Sequence, residues 1–179
     1  MGKIIAVEYV SLDGVSDEPG AWSGPWFDAD LASFQGGNMA EADGLLLGRK
    51  TYEGFKAAWP QMTGEGADAM NSMPKYVVTS STEQPEWNAT FLSGDPTTSV
   101  AELKSSSDHT LLVNGSAQLL RDLLDHGLVD ELRLMVFPVI LGAGQRLFEG
   151  QSRSDLTLTF SQHSRSGVAI LTYAAANAA

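Results

Sequence analysis

The chain has no cysteine, and that absence removes disulfide bonds, thiolate metal sites and cysteine nucleophiles together. Histidine is nearly as scarce. His109, His126 and His163 stand far apart and offer no metal-ligand spacing such as HExxH, so a metal enzyme is not expected. Cations are few as well. Eleven Lys and Arg against 22 Asp and Glu leave a formal net charge of −11, which repels phosphate backbones and anionic lipid at long range. Nucleic acid and membranes are therefore not expected partners. No apolar run approaches the length of a membrane span, and the start MGKIIAVEYV lacks the longer apolar core and small-residue cleavage site of a secretion signal. The expectation is a cytoplasmic protein.

What is present suits a globule. Hydrophobic residues make up 43% and charged residues 18% of 179, enough to bury one core, and residues 1–179 read as a single domain without repeat or linker. Lys3 to Val10 is an apolar, β-rich strand ended by the Asp-Gly turn signal of SLDG. The next stretch, VSDEPGAWSGPWF, is rich in Gly and Pro and is either a mobile lid or a packed surface loop. Phe27 to Ala42 spaces Leu31, Phe34, Met39 and Ala42 as a helical face. GLLLG at Gly44 to Gly48 and KYVV at Lys75 to Val78 read as buried strands. A helix follows the first of these from about Lys50 to Ala58, and another spans Thr97 to Ser106 with Thr97 or Thr98 as its cap. The segment HTLLVNGSAQLLRDLLDHG predicts strand, small-residue turn and helix, closed by His126 and Gly127. From Glu131 the apolar period becomes two, which predicts an antiparallel end to the chain. AAANAA at the terminus predicts a frayed tail. Together these elements describe an α/β fold: a mixed, mostly parallel sheet with helices on its faces and an antiparallel edge.

Three strand ends share one chemistry. Gly48 to Thr51 leads into a helix, Thr79 to Ser81 follows a strand, and Asn114 to Ser116 leads into another helix. In open α/β sheets ligands bind beyond the carboxyl ends of the strands, where helix N-termini offer unpaired N–H groups to phosphate. Arg49 and Lys50 would add charge. On spacing alone, the simpler reading is that Thr51 caps the helix and both cations are solvated. Neither GxGxxG nor GxxxxGK[ST] occurs, so the usual dinucleotide and P-loop motifs are not there to decide.

Five stretches in order, VEYVSLDGV, ADGLLLGRKTYEGF, KYVVTSS, VNGSAQLLRDLLDHGLVDELRL and FPVILGAGQRLF, resemble the dihydrofolate-reductase-like family that includes the C-terminal reductase domain of riboflavin biosynthesis. The resemblance runs from about Lys3 to Tyr173 and implies a twisted sheet of about eight strands that binds NADPH. It places Gly48, Arg49, Lys50 and Thr51 at the pyrophosphate and 2′-phosphate, and Ser80 and Ser81 at the adenosine ribose phosphate. Gly115, Ser116 and Ala117 fall at the second pyrophosphate turn, and Ala6 and Val7 fall against the nicotinamide carboxamide. Asn114 departs from the family, many members of which have glycine there; Asn tolerates unusual backbone angles less well than Gly. A homodimer is also implied, with Pro138 to Gly144 near its interface.

The implied activity is NADPH-dependent transfer of a hydride to a C=N or C=O of a small pterin- or pyrimidine-like heterocycle. The alternative is a catalytically silent nucleotide- or small-molecule-binding protein of the same fold. Two carboxylates are candidates for the proton: Asp13, which is either a turn residue or a substrate contact, and Glu8, which needs a partner or a shifted pKa if the first strand is buried. No carboxylate of Phe27 to Ala42 aligns with the one that holds the pterin in dihydrofolate reductases, and Asp28 and Asp30 suit helix capping. Trp22, Trp26 and Phe27 either stack on a planar substrate or close the core under the loop.

Overall fold

The computed structural model describes residues 1–175. In chain order the elements are β1 (Lys3–Ser11), α1 (Pro19–Trp22), α2 (Ala29–Glu41), β2 (Gly44–Gly48), α3 (Arg49–Ala58), α4 (Glu65–Ser72), β3 (Lys75–Val78) and β4 (Ala89–Leu92). There follow α5 (Pro96–Ser106), β5 (Thr110–Asn114), α6 (Ala117–Asp125), β6 (Glu131–Phe137), β7 (Leu156–His163) and β8 (Ala169–Ala175). The strands form one sheet in the order β4-β3-β2-β5-β1-β6-β8-β7. Among the described residues no helix is long and apolar enough to cross a membrane.

The unbroken apolar runs lie at the centre because helices cover both faces there. One face gathers Ile4, Ala6, Leu46, Leu111 and Val113 under Val100 of α5 and Leu119, Leu120, Leu123 and Leu124 of α6. The other gathers Ile5, Val7, Leu45, Leu47 and Leu112 under Leu31 of α2, Tyr52 of α3 and Met70 of α4. Each helix therefore contributes one apolar stripe to a two-sided core.

The predicted elements recur, with four differences. The antiparallel end begins later than the period change suggests: β6 runs parallel to β1, from Ile5 opposite Glu131 to Ser11 opposite Phe137, and only β8 reverses, lying antiparallel between β6 and β7. The crossover through α6 returns the chain to the sheet in its original direction. α5 is capped by Asp95 rather than Thr97 or Thr98: its carboxylate accepts the Thr98 N–H at 2.9 Å and both threonine hydroxyls, and Pro96 occupies a first-turn position that needs no N–H. α4 has no marked apolar stripe to reveal it in the sequence; only Ala67 and Met70 are buried on it. The tail expected to fray lies outside the described residues, except Ala174 and Ala175, which close β8.

The Gly- and Pro-rich stretch after β1 is a packed loop, held at both ends. Val15 pairs with Arg146, the Leu147 N–H donates to Gly14 O, and the Gln145 N–H donates to Asp17 Oδ1 at 3.0 Å. At its far end, Ser166 donates from its hydroxyl to Trp26 O at 2.6 Å and from its N–H to the α2 cap Asp28. Gly144 makes the first contact possible. It sits at φ +122, and a Cβ there would fall 2.6 Å from Val15 Cγ1 and 2.7 Å from Asp17 Oδ1. Gly142, at φ +77, has open space around it. Gly144→Ala should therefore cost about 2 kcal/mol or more and lower the thermal midpoint by several degrees, whereas Gly142→Ala should cost about 1 kcal/mol. Thermal unfolding of the two variants side by side checks this.

Candidate functional site

β2 and β5 lie side by side, yet the helices that leave their carboxyl ends go to opposite faces. α3 packs Tyr52 into one core and α6 packs Leu119 into the other. Such a switch point leaves a crevice between two helix starts. Neither helix has a side-chain cap, whereas α2 and α5 are capped by Asp28 and Asp95. The first-turn N–H groups of α3 and α6 are thus without side-chain acceptors.

A hydroxyl relay joins the two starts. The Gly48 N–H donates to Ser116 Oγ at 3.0 Å, and Ser116 Oγ donates to Thr51 Oγ1 at 2.7 Å. Because Thr51 accepts, its own proton is left to donate elsewhere. The approach is close: a Cβ on Gly48 would lie 3.3 Å from Ser116 Oγ, and one on Gly115 3.6 Å from Thr51 Cγ2. Gly115 (φ +74) and Ser116 (φ +73) both adopt left-handed angles. For Ser116 this costs roughly 1–3 kcal/mol. Asn114 does not carry the unusual geometry. It is the last paired residue of β5, opposite Val7, so its departure from glycine is accommodated without strain. Ala117 opens α6, and Arg49 and Lys50 stand exposed on the first turn of α3.

On β1, Ala6 and Val7 are fully buried. The β5 ladder ends at Val7 opposite Asn114, which puts Glu8 level with the Gly115 turn and opposite Leu134 of β6. Glu8 is 4% exposed, and its Oε1 has no hydrogen-bond partner. Burial pushes its pKa up to about 8, and no charge or hydrogen bond contributes. The titratable groups of the flanking β6 and α6, namely Glu131, Arg133, Arg121, Asp122 and Asp125, therefore do not offset its desolvation. Asp13 is its opposite. It accepts from the Ser11 hydroxyl at 2.7 Å and from the N–H groups of Leu141 and Gly142, and these bonds, Ser11 first, hold its pKa down to about 2. The geometry makes Asp13 a loop clasp whose bonds favour its charged form, whereas the burial of Glu8 favours its neutral form.

The aromatic candidates divide. Trp22 is half-buried, donates Nε1–H to Asp17 O at 3.0 Å and meets Phe137 edge-on. Trp26 is also half-buried against the second core, while Phe27 is 48% exposed. Ser81 lines a cavity of about 220 Å³ with Arg49, Tyr52, Lys56, Glu83 and Phe91; Ser80 is exposed outside it. Glu53, Glu83 and Glu86 of that cavity were not singled out in the sequence, although the four-residue spacing of Arg49 and Glu53 was a readable signal. A larger groove, about 850 Å³, lies between α2 and the β6-β8-β7 face. Its cation Arg133 is already engaged by Glu41, Glu131 and Asn38, and the first turn of α2 that reaches it is capped by Asp28 and carries Asp30, so it lacks what an anionic ligand needs.

The sequence model of the RibD C-terminal domain matches residues 2–172. The chain belongs to the RibD C-terminal domain family. It is 30% identical to YwjB of Bacillus subtilis (strain 168) over 151 residues, 82% of each chain. A pyrimidine reductase-like protein from Corynebacterium diphtheriae superposes with a TM-score of 0.71 at 16% identity, over 97% of this chain and 92% of that one. Dihydrofolate reductase from Enterococcus faecalis superposes with a TM-score of 0.68 at 15% identity, over 98% and 97%. The RibD C-terminal domain fold, eight strands in a mostly parallel sheet, is thus the dihydrofolate-reductase-like fold.

The buried carboxyl predicts a pH signature. With a folded pKa above the ordinary value, protonated Glu8 contributes stability that is complete below about pH 4.5. That contribution is lost as pH rises toward about 8, at up to about 1.4 kcal/mol per pH unit. Denaturant unfolding of wild type and Glu8→Gln between pH 5 and 8 should diverge steadily, the variant gaining relative to wild type. Parallel curves would show that Glu8 ionises normally.

Proposed function

We propose that this chain is an NADPH-dependent reductase that delivers hydride to a C=N or C=O of a small pyrimidine- or pterin-like heterocycle. The observation that carries the reading is the relay from Gly48 through Ser116 to Thr51. It holds two uncapped helix starts together at a strand switch point, where a pyrophosphate finds N–H donors and a hydroxyl. The donor set fits the group, with Arg49 and Lys50 supplying positive charge beside it. The likeness to a dihydrofolate reductase that was solved with NADP(H) supports the same assignment.

When bound, the reduced coenzyme supplies the hydride. The chain's own residues then orient and protonate. Val7 ends the ladder between β1 and β5, so the backbone of Ala6 and Val7 stands at the notch where a carboxamide would be held. Glu8 keeps a proton at neutral pH because burial disfavours its charged form. Trp22, Trp26 and Phe27 belong to the packed loop that leads into α2, and their faces suit a flat ring. A second reading, a nucleotide-binding protein without turnover, draws on one feature: both Asp13 oxygens are spent on Leu141 and Gly142.

Titration of tryptophan fluorescence with the reduced coenzymes tests the site, and oxidation of bound coenzyme on addition of pyrimidine or pterin acceptors separates the two readings. Thr51→Val should weaken NADPH and NADH alike by roughly tenfold, about one hydrogen bond to a charged group, because the pyrophosphate is common to both. Unchanged affinity for both would remove the relay from the binding site.

A further inference from the structure

The cavity beside α3 has a charge pattern that sequence spacing hides. Arg49, its cation nearest the helix start, has Nε 2.7 Å from Glu53 Oε1 and Nη2 4.0 Å from Glu83 Oε2. Further along the helix, Lys56 Nζ lies 2.6 Å from Glu86 Oε2. Two cations therefore meet three carboxylates in one small cavity. Two of those carboxylates come from the segment after β3 and one from α3 itself, so the arrangement is built by the fold and not by one helix face.

We infer that Glu53 and Glu83 limit the coenzyme selectivity of this site by competing with the ribose 2′-phosphate for Arg49. The inference rests on the dinucleotide reading above and refines it. A 2′-hydroxyl entering the cavity can donate to a carboxylate, as an acidic residue does for NAD in other α/β folds. A 2′-phosphate brings close to two negative charges and gains Arg49 only by displacing Glu53, with Glu83 and Glu86 repelling it throughout. The groups are solvent-exposed, Arg49 at 50%, Glu53 at 52% and Glu83 at 76%, so each pair exchanges readily. The carboxylates thus reduce the advantage of the phosphate without closing the site to it. Lys50 lies outside the cavity lining and serves the pyrophosphate that both coenzymes share.

The test is a fluorescence titration of the full chain with NADPH and NADH at near-physiological salt. It compares wild type, Glu53→Gln/Glu83→Gln, and the same double variant with Arg49→Ala added. Wild type should prefer NADPH by less than about tenfold. The double variant should bind NADPH at least about tenfold more tightly, with NADH affinity changed by less than about twofold. Adding Arg49→Ala should return the ratio to near one. All the substituted side chains are exposed, and unchanged thermal midpoints confirm that the variants fold. A wild-type preference for NADPH of about a hundredfold, or a double variant with an unaltered ratio, overturns the inference while leaving the dinucleotide site intact. Binding of neither coenzyme to wild type overturns both.

Discussion

The bond from the Gly48 N–H to Ser116 Oγ joins the ends of two strands whose helices go to opposite sides of the sheet. Everything at the candidate site depends on how closely those ends approach. The approach needs glycine at 48, where a methyl group would crowd Ser116, and left-handed angles at 115 and 116. Ser116 accepts backbone strain that glycine would avoid, and its hydroxyl offsets part of that cost by satisfying one half-buried donor and passing a hydrogen bond on. A glycine there would relax the turn and lose the tie.

Charge elsewhere in the molecule is tied into pairs across the fold, and beside the crevice Arg49 and Lys56 are shared with carboxylates as well. Lys3, Arg133, Glu41 and Glu131 form one network below α2, Lys104 pairs with Asp130, and Arg165 closes on Asp30. Each cation joins elements distant in sequence, and each is thereby neutralised. With a net charge of −11, the long-range field of the protein opposes an anionic ligand. Recognition must come from short-range donors: backbone N–H groups, one hydroxyl, and cations held at a helix start.

Much of the architecture was legible because the central strands are covered on both faces. GLLLG and TLLVN are apolar without alternation, as short strands become when neither face meets water. The small residues that follow them marked the crevice for the same reason, since only small side chains permit two turns to meet. What was hidden depends on tertiary context. The direction of β6 is set by the α6 crossover and not by its own period. Asp95 caps α5 from outside the pair of threonines that local spacing favours. Asn114 stands where strain would be expected, but the turn places the unusual angles on the next two residues, Gly115 and Ser116. Asp13 and Glu8 are alike in the sequence as acidic residues near the end of one strand. The Ser11 hydroxyl and two N–H groups from a segment more than 120 residues away hold one pKa down, and burial pushes the other up.

The partnerless oxygen of Glu8 also bears on how such a chain drifts. A buried carboxyl that nothing compensates is a position where an apolar or amide replacement of similar volume improves stability. If the crevice acts as proposed, the acid at residue 8 is kept against that pressure by use alone. Related chains with Leu, Met or Gln there would then mark where the use had lapsed.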